Sequence, residues 1–172
     1  LYDCAAFLQE PQSIEDLCAG FLQRIQSFFN AEAGSVRIFD EQKTQLHMLA
    51  YRGLTDSMMQ MMHCVKLEDC VCAQAVYQKS AVIHQLGHMV SPHLLACQSQ
   101  GFKTVSAFHI HVYEDYLGLF NLYFSESRSF SLHEKTMLDT LGQLLGVAIQ
   151  NIRLATQARE LARLEERNLV AQ

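Results

Sequence analysis

Four cysteines in the middle of the chain have the clearest capacity for chemistry. Cys64, Cys70 and Cys72 lie together in HCVKLEDCVCAQAV, and Cys97 follows in HLLACQSQGF. Four sulfurs that converge on one pocket suit a tetrahedral zinc ion or an iron-sulfur cluster. If Asp69 is the N-cap of a helix, the two central cysteines fall in its first turn, where the helix dipole favours thiolates. The segment therefore predicts a metal or redox site.

Other roles for these cysteines stay open. A C-x-C pair is a weaker metal signal than the paired C-x-x-C of a zinc ribbon, and both Cys72 and Cys97 adjoin apolar residues that are typical of a core. The alternatives are an iron-sulfur or other redox site, zinc, a reversible disulfide, and thiols that bind no cofactor. Cys4 and Cys18 lie in apolar stretches and are predicted to be core residues.

Histidines form a second set of candidate ligands. His109 and His111 are two residues apart on a predicted strand, so their side chains lie on one face. Such a pair can bind a metal, but a position on a pocket wall or in solvent is favoured, because the alternating apolar residues would take the buried face. His63, beside the first cysteine of the cluster, is a further candidate donor. Three more histidines surround the long central loop: His84, His88 and His93.

Composition excludes several classes of protein. The 172 residues are 49% hydrophobic with two prolines, which is enough for one well-buried globular domain. The net charge of -5 comes from interspersed acids and bases and leaves no basic stripe for nucleic acid. No apolar run reaches the ~18 residues of a membrane span, so no membrane contact is expected. Six cysteines are too few for a disulfide scaffold, which favours a reducing, cytoplasmic setting.

Hydrophobic periodicity predicts the elements that would position the candidate residues. Ser13 is the expected N-cap of a helix over SIEDLCAGFLQRIQSFFN, and a β-hairpin follows in AGSVRIFDEQKTQLHMLAYRG. A short helix in LTDSMMQMMH, an extended CVKLED and a strand in SAVIHQL lead to a loop with at most one helical turn over 86–101. KTVSAFHIHVY and YLGLFNLYFSES should pair as adjacent antiparallel strands. This order predicts an α+β fold with a central antiparallel sheet flanked by helices.

One long helix is predicted to end the chain. Ser131 and Glu134 form a capping box at its start. The first half has a broad apolar face for the sheet, and the second half is charged with a narrow heptad seam. That seam predicts a homodimer through a partner helix, with its polar members fixing the register, while a solvated tail is the alternative. The seam residues are Leu154, Gln157, Leu161, Leu164, Asn168 and Ala171.

The second half of the chain resembles a GAF domain. GFKTVSAFHIHVYEDYLGLFNLYFSES is similar to the closing hairpin of that fold, with a Gly-x-x-Ser/Thr entry and a second strand that opens with Leu-Gly. FSLHEKTMLDTLGQLLGVAIQN is similar to its closing helix. The resemblance covers about residues 13–152. It implies a GAF-like domain over 1–152 and a coiled-coil-like exit helix over 153–172.

The tail LEERNLVAQ resembles the lead-in to the phospho-acceptor helix of histidine kinases related to nitrate/nitrite sensors, through Glu166, Arg167, Val170 and Ala171. The cysteine spacing is similar to the cysteine-containing central module of such kinases. This resemblance implies a non-catalytic signal-input or relay domain of a two-component sensor histidine kinase, with the kinase core in cis. It further implies the cytoplasmic portion of an inner-membrane protein, and the absence of an initiator Met leads us to expect a fragment of a longer chain.

Two rival functions remain at this point. A GAF-fold thiol enzyme, such as a methionine sulfoxide reductase, would use low-pKa cysteines. A structural spacer with an empty pocket would use none of them. The cyclic-nucleotide signature of GAF domains is missing, and the reversed order of His63 and Cys64 does not match the Cys-His pair that anchors bilins.

Overall fold

The computed structural model describes residues 2–69, 71–87 and 92–171. The strands are β1 Ala33–Phe39, β2 Gln45–Arg52, β3 Cys64–Lys66, β4 Val82–Gln85, β5 Thr104–Val112 and β6 Asp115–Phe124. The helices are α1 Tyr2–Phe7, α2 Ile14–Phe29, α3 Asp56–Met62, α4 Gln74–Gln78, α5 Pro92–Ser99 and α6 Leu132–Ala171, and two 3-10 turns cover Leu67–Asp69 and Val71–Ala73.

The six strands form one antiparallel sheet in the order β3-β2-β1-β6-β5-β4. Both predicted hairpins are present, as β1–β2 and β5–β6, and they meet through the β1–β6 pairing at the centre of the sheet. The predicted α+β architecture is therefore confirmed. No helix in the described part of the chain is both long and apolar enough to cross a bilayer.

Each face of the sheet covers a separate core. On one face, α2 and the first half of α6 pack over residues such as Val36, Ile38 and Phe120, and the Phe21 and Phe120 rings meet edge to face at 5.2 Å between centroids. On the other face, α3, α4 and α5 cover a second core that includes Leu119 and Tyr123. Alternation along the central strands separates the two sets of side chains.

The helix ends follow their sequence signals. Ser13 Oγ accepts a hydrogen bond from the Asp16 backbone N at 3.1 Å, which caps α2 as predicted. At α6, Ser131 Oγ accepts from the Glu134 N, and Glu134 Oε1 accepts from the Ser131 N, each at 3.1 Å. The predicted capping box is thus confirmed. Cys4 on α1 and Cys18 on α2 are buried, as expected for core residues.

Two local predictions are wrong. Asp69 ends a 3-10 turn, and the N-cap of α4 is Ala73, which makes no side-chain capping bond. Cys72 therefore lies in a 3-10 turn ahead of a five-residue helix, so the dipole argument for its thiolate is lost. The predicted loop over 86–101 contains the eight-residue helix α5, which is longer than the single turn expected there.

Two glycines let α6 lie directly on the backbone of β5. A Cβ atom at Gly142 would lie 2.3 Å from the His109 carbonyl oxygen, and one at Gly146 would lie 2.4 Å from that of His111. Both distances are far shorter than a carbon–oxygen contact allows, so only glycine permits this approach. The pair is one helical turn apart, so it forms a continuous contact stripe along α6.

Replacement of Gly142 by alanine should lower the free energy of unfolding by about 1–3 kcal/mol, because the added methyl group overpacks the helix–sheet contact. Urea denaturation of the purified chain measures this change. The matched control is Thr140→Ala on the exposed side of the same helix, which should stay within about 0.5 kcal/mol of the parent. A Gly142→Ala protein as stable as the Thr140→Ala protein would show that α6 does not approach β5 this closely.

Candidate functional site

A polar cluster lies within the otherwise apolar second core. Ser35 and Arg37 of β1 and Asn121 and Tyr123 of β6 point to this side of the sheet, and all four are buried. Their positions follow from strand alternation: Val36, between the two β1 residues, faces the opposite core. The two strands that meet at the sheet centre therefore bring their polar residues together.

Hydrogen bonds join most of this cluster. The Ser35 hydroxyl lies 3.3 Å from both Asn121 Oδ1 and the Tyr123 hydroxyl oxygen, and it donates to the amide oxygen. Asn121 Nδ2 in turn donates to the Ser106 carbonyl oxygen of β5 at 3.2 Å. The network spans three strands. Buried polar groups linked in this way fix side-chain positions more tightly than apolar packing alone.

Arg37 gives the cluster a permanent positive charge. Its side chain is fully buried, and a guanidinium keeps its proton at all relevant pH values. Burial raises the pKa of Tyr123 well above its ordinary value, while the nearby Arg37 charge acts in the opposite direction. Tyr123 therefore remains a neutral phenol. Arg37 therefore places a fixed positive charge beside the neutral hydroxyl groups of the cluster.

The predicted cysteine site is only partly described. Cys72 and Cys97 are buried in the second core, which also contains Tyr123. Cys64 is half-buried on β3, where its Sγ donates to Gln45 Oε1 at 3.5 Å. Cys70 lies outside the described residues. The three described thiols do not form a three-ligand metal group among the residues that the structure covers, and the four-cysteine site stays a prediction.

The predicted histidines separate into different places. His63 ends α3, is exposed, and has its Nδ1 atom 3.0 Å from the Gln60 carbonyl oxygen. His84 is buried on β4, whereas His88 and the His93 side chain lie outside the described residues. His63 thus has no part in the second core. It remains a candidate donor only through its position beside Cys64.

His109 and His111 do come together, at the edge of the sheet. Their rings stack with centroids 4.0 Å apart, and both Nε2 atoms face Asp139 Oδ1 of α6. Burial lowers the pKa of His109, repulsion from His111 adds to this effect, and Asp139 opposes it. The His109 ring is therefore neutral near pH 7. Within the described part of the chain, these three residues are the one group spaced closely enough for a metal.

The seam predicted in the long helix is exposed. Leu154, Leu161 and Leu164 are 60%, 59% and 56% exposed, and Val147, one heptad before Leu154, is 39% exposed. Gln157, Asn168 and Ala171 are exposed as well. Side-chain burial along α6 ends near Ile152. An apolar heptad stripe on a solvent-exposed helix is typical of a surface that pairs with another helix.

Comparison with known proteins identifies the fold family. The sequence profile of the GAF domain matches residues 11–150. The chain belongs to the GAF domain family. Its six-stranded antiparallel sheet with flanking helices is the architecture that the sequence predicted for this family. A search of curated proteins gives no match to the chain.

Solved structures share the fold at low sequence identity. A domain of a protein described as a two-component sensor histidine kinase from Sinorhizobium meliloti 1021 is 21% identical, with a TM-score of 0.71 over 87% of this chain and 99% of that one. The GAF domain of a phosphoenolpyruvate-protein phosphotransferase from Coxiella burnetii is 16% identical, with a TM-score of 0.74 over 91% and 94%. The phycocyanobilin-bound GAF domain of a cyanobacterial phytochrome is 16% identical, with a TM-score of 0.71 over 90% and 93%.

Sequence reasoning missed the polar cluster and the acidic partner of the histidines. An arginine between Val36 and Ile38 in SVRIF reads as the solvent-facing residue of an amphipathic strand, yet Arg37 is fully buried because this GAF sheet is covered on both faces. Asn121 in LFNLYF is likewise a polar residue within an otherwise apolar strand. Asp139 could not be found from spacing, because it reaches the histidines only through the packing of α6.

Thiol labelling should separate the described cysteines of this GAF domain. Cys64 is half-buried, whereas Cys18 is fully buried and burial raises its pKa to about 12. With iodoacetamide at pH 8, Cys64 should be alkylated well before Cys18, which should react only after unfolding in urea. Peptide mass spectrometry at successive times measures both rates. Equal rates in the folded protein would contradict the placement of these two residues.

Proposed function

We propose that this GAF domain is a non-catalytic signal-input or relay module of a two-component sensor histidine kinase. In this proposal a change in the second core is passed through the sheet to α6, and α6 carries it to a kinase core in cis. GAF domains act as sensing and regulatory modules, and the S. meliloti structure shows the fold in a protein described as such a kinase. The resemblance of the LEERNLVAQ tail to the lead-in of nitrate/nitrite-type kinases supports the same role.

The division of α6 is the observation that carries the proposal. The 40-residue helix packs on the sheet through Leu138, Leu141, Leu145 and Ile149, and it then extends away from the domain with an exposed apolar stripe. A rigid helix that is anchored to the sheet at one end and pairs with another helix at the other end can transmit a movement of the sheet to that partner helix. Small changes of register or angle in a two-helix seam are a known form of switching.

The seam should form a parallel homodimer. Its apolar heptad positions continue back to Val147, so the paired region begins beside the sheet and runs to Leu164 or beyond. Gln157 and Asn168 are polar members of the seam, and polar residues at such positions fix register at some loss of stability. By the same proposal, the kinase lies beyond the seam, this domain is cytoplasmic, and the full-length protein is anchored in the inner membrane.

Substitution of Leu161 by glutamate should weaken the dimer, because it places two like charges in the seam. Sedimentation equilibrium of the purified chain measures the monomer–dimer constant. We expect the parent chain to dimerise and Leu161→Glu to be monomeric at the same concentrations. Ala162→Glu adds the same charge one residue away, off the seam, and should leave dimerisation unchanged. A parent chain that stays monomeric at high concentration would remove the main support for the relay.

The input site in this proposal is the polar cluster of the second core. Arg37 supplies charge, and the hydroxyl and amide groups of Ser35, Asn121 and Tyr123 supply directional hydrogen bonds. An arginine fork matches planar oxoanions well. Together with the resemblance to nitrate/nitrite-type kinases, this chemistry favours a small oxoanion as the ligand.

A thiol-based input is the second candidate. Cys72 and Cys97 lie in the same core as Tyr123, so oxidation or metal binding at either thiol would alter that core. An iron-sulfur cluster, zinc or a reversible disulfide that includes Cys70 and Cys64 remains part of this proposal. Catalysis by these cysteines, as in a methionine sulfoxide reductase, is less favoured because Cys72 and Cys97 are only 7% and 2% exposed.

Nitrate and nitrite should stabilise the parent chain against thermal unfolding, because a ligand that binds only the folded state raises the unfolding temperature. Differential scanning calorimetry measures the unfolding temperature, and chloride at equal ionic strength gives the reference value. Arg37→Met should lose the specific shift, whereas Arg24→Met, at an arginine of α2 that pairs with Asp3, should keep it. If both oxoanions act no differently from chloride on the parent chain, the anion input is wrong and the thiol input becomes the leading one.

A further inference from the structure

Three potential metal ligands meet where the sheet edge passes from β4 to α6. Within the described residues, β4 pairs with β5 only as far as Ala107, and beyond that point α6 lies along β5 at Gly142 and Gly146. His109 and His111 occupy this stretch of β5. Asp139 lies on α6 three residues before Gly142, so the close helix–sheet contact places its carboxylate beside both rings.

The distances from Asp139 to the two rings are those of a coordination shell. Asp139 Oδ1 lies 3.6 Å from His109 Nε2 and 3.4 Å from His111 Nε2. His111 Nε2 has no hydrogen-bond partner among the described residues, and the His109 contact at 3.6 Å is longer than a hydrogen bond. Ligand atoms bonded to one tetrahedral zinc ion at about 2.0–2.2 Å are separated from each other by about 3.3–3.6 Å. The Asp139 contacts are therefore too long for direct hydrogen bonding, and both lengths match edges of a tetrahedron.

The orientation of the His111 ring supports the same conclusion. Its Nδ1 atom lies 3.3 Å from the Tyr113 carbonyl oxygen, which can only accept, so Nδ1 carries a proton. The Tyr113 backbone has a φ of 50° in the β5–β6 turn. In the neutral ring, Nε2 then presents a lone pair. Metal-binding histidines typically have this arrangement, with the other nitrogen donating to a backbone carbonyl.

The lone pairs need a cation between them. His111 Nε2 is buried and has no hydrogen-bond partner within the described part of the chain, and the nearest charged atom is a carboxylate oxygen that also carries lone pairs. Two acceptors that face each other at 3.4 Å repel unless a proton or a metal ion lies between them. Since Nδ1 already holds one proton, the choice is an imidazolium–carboxylate pair or a bound metal.

We propose that His109, His111 and Asp139 bind a zinc ion that joins β5 to α6. Two imidazole nitrogens and one carboxylate form a common zinc ligand set, and zinc imposes no geometry beyond the tetrahedron that the distances already match. The Asp139 side chain is 53% exposed, so the fourth position faces solvent and takes a water molecule. This site is separate from the cysteines and does not depend on the proposed kinase role.

The bound ion would hold α6 against the sheet through its own ligands. His109 and His111 belong to the strand whose carbonyl groups already contact Gly142 and Gly146. The ion would add a link between the same two elements on the Asp139 side of the helix. Zinc should therefore raise the unfolding temperature of the domain, because binding to the folded state alone is linked to stability.

Zinc binding to the chain should be measured by isothermal titration calorimetry with a non-thiol reductant present. Asp139→Asn removes the charged ligand at an exposed position and keeps the size of the side chain, while His111→Gln removes one nitrogen ligand. His133→Gln, at an exposed histidine near the start of α6, is the matched control. Circular dichroism without metal checks that each variant folds. Cobalt substitution identifies the ligand type, because thiolate ligands add a charge-transfer band that nitrogen and oxygen ligands do not.

We expect the parent and His133→Gln chains to bind one zinc ion at this site, with a cobalt spectrum that lacks the thiolate band. Asp139→Asn and His111→Gln should each weaken zinc binding by about 100-fold or more, because each removes a direct ligand; changes to residues that only contact the ligands cost less. Both variants should also lose the zinc-dependent rise in unfolding temperature. Three results would overturn the proposal: no zinc binding to the parent chain, equal binding by the two ligand variants, or a cobalt spectrum that shows only thiolate coordination. If the parent chain binds no zinc, His111 and Asp139 form an imidazolium–carboxylate pair instead.

Discussion

The contact between α6 and β5 is the constraint on which the rest of the structure depends. Gly142 and Gly146 bring the helix backbone against the carbonyl oxygens of His109 and His111. This approach buries the apolar face of α6, sets the direction in which its second half leaves the domain, and carries Asp139 to the edge of the sheet. A methyl group at either glycine would displace all three features together, because one rigid helix holds them.

The two faces of the sheet have different physical tasks. The face under α2 and α6 is aromatic and aliphatic, with stacked or edge-to-face rings such as Phe108 and Phe120. The face under α3, α4 and α5 contains a buried cation and hydrogen-bonding groups at its centre. Apolar packing tolerates little rearrangement, whereas a polar core is sensitive to any change in charge. In the proposed function, the polar face receives the input and the apolar face holds α6.

Much of this fold could be predicted from sequence because its strongest signals are local. Ser13, Ser131 and Glu134 mark helix starts by direct hydrogen bonds, and strand alternation gave both hairpins. The errors arose where local signals were weak: Asp69 does not cap a helix, and α5 lacks a clear apolar period. The candidate sites depend on long-range packing. Arg37 is buried by helices distant in sequence, and Asp139 meets its histidines across 30 and 28 residues of chain.

The glycine contact stripe also limits how α6 can move. At each glycine only a hydrogen atom faces the β5 carbonyl, and the neighbouring residues of α6 carry large side chains. Rotation of the helix about its own axis would therefore drive a Cβ atom into a β5 carbonyl. Sliding by one helical turn is also blocked, because it would remove one of the two glycines from its carbonyl. The helix and the sheet therefore move as one unit, so a shift of β5 is carried directly to the far end of α6.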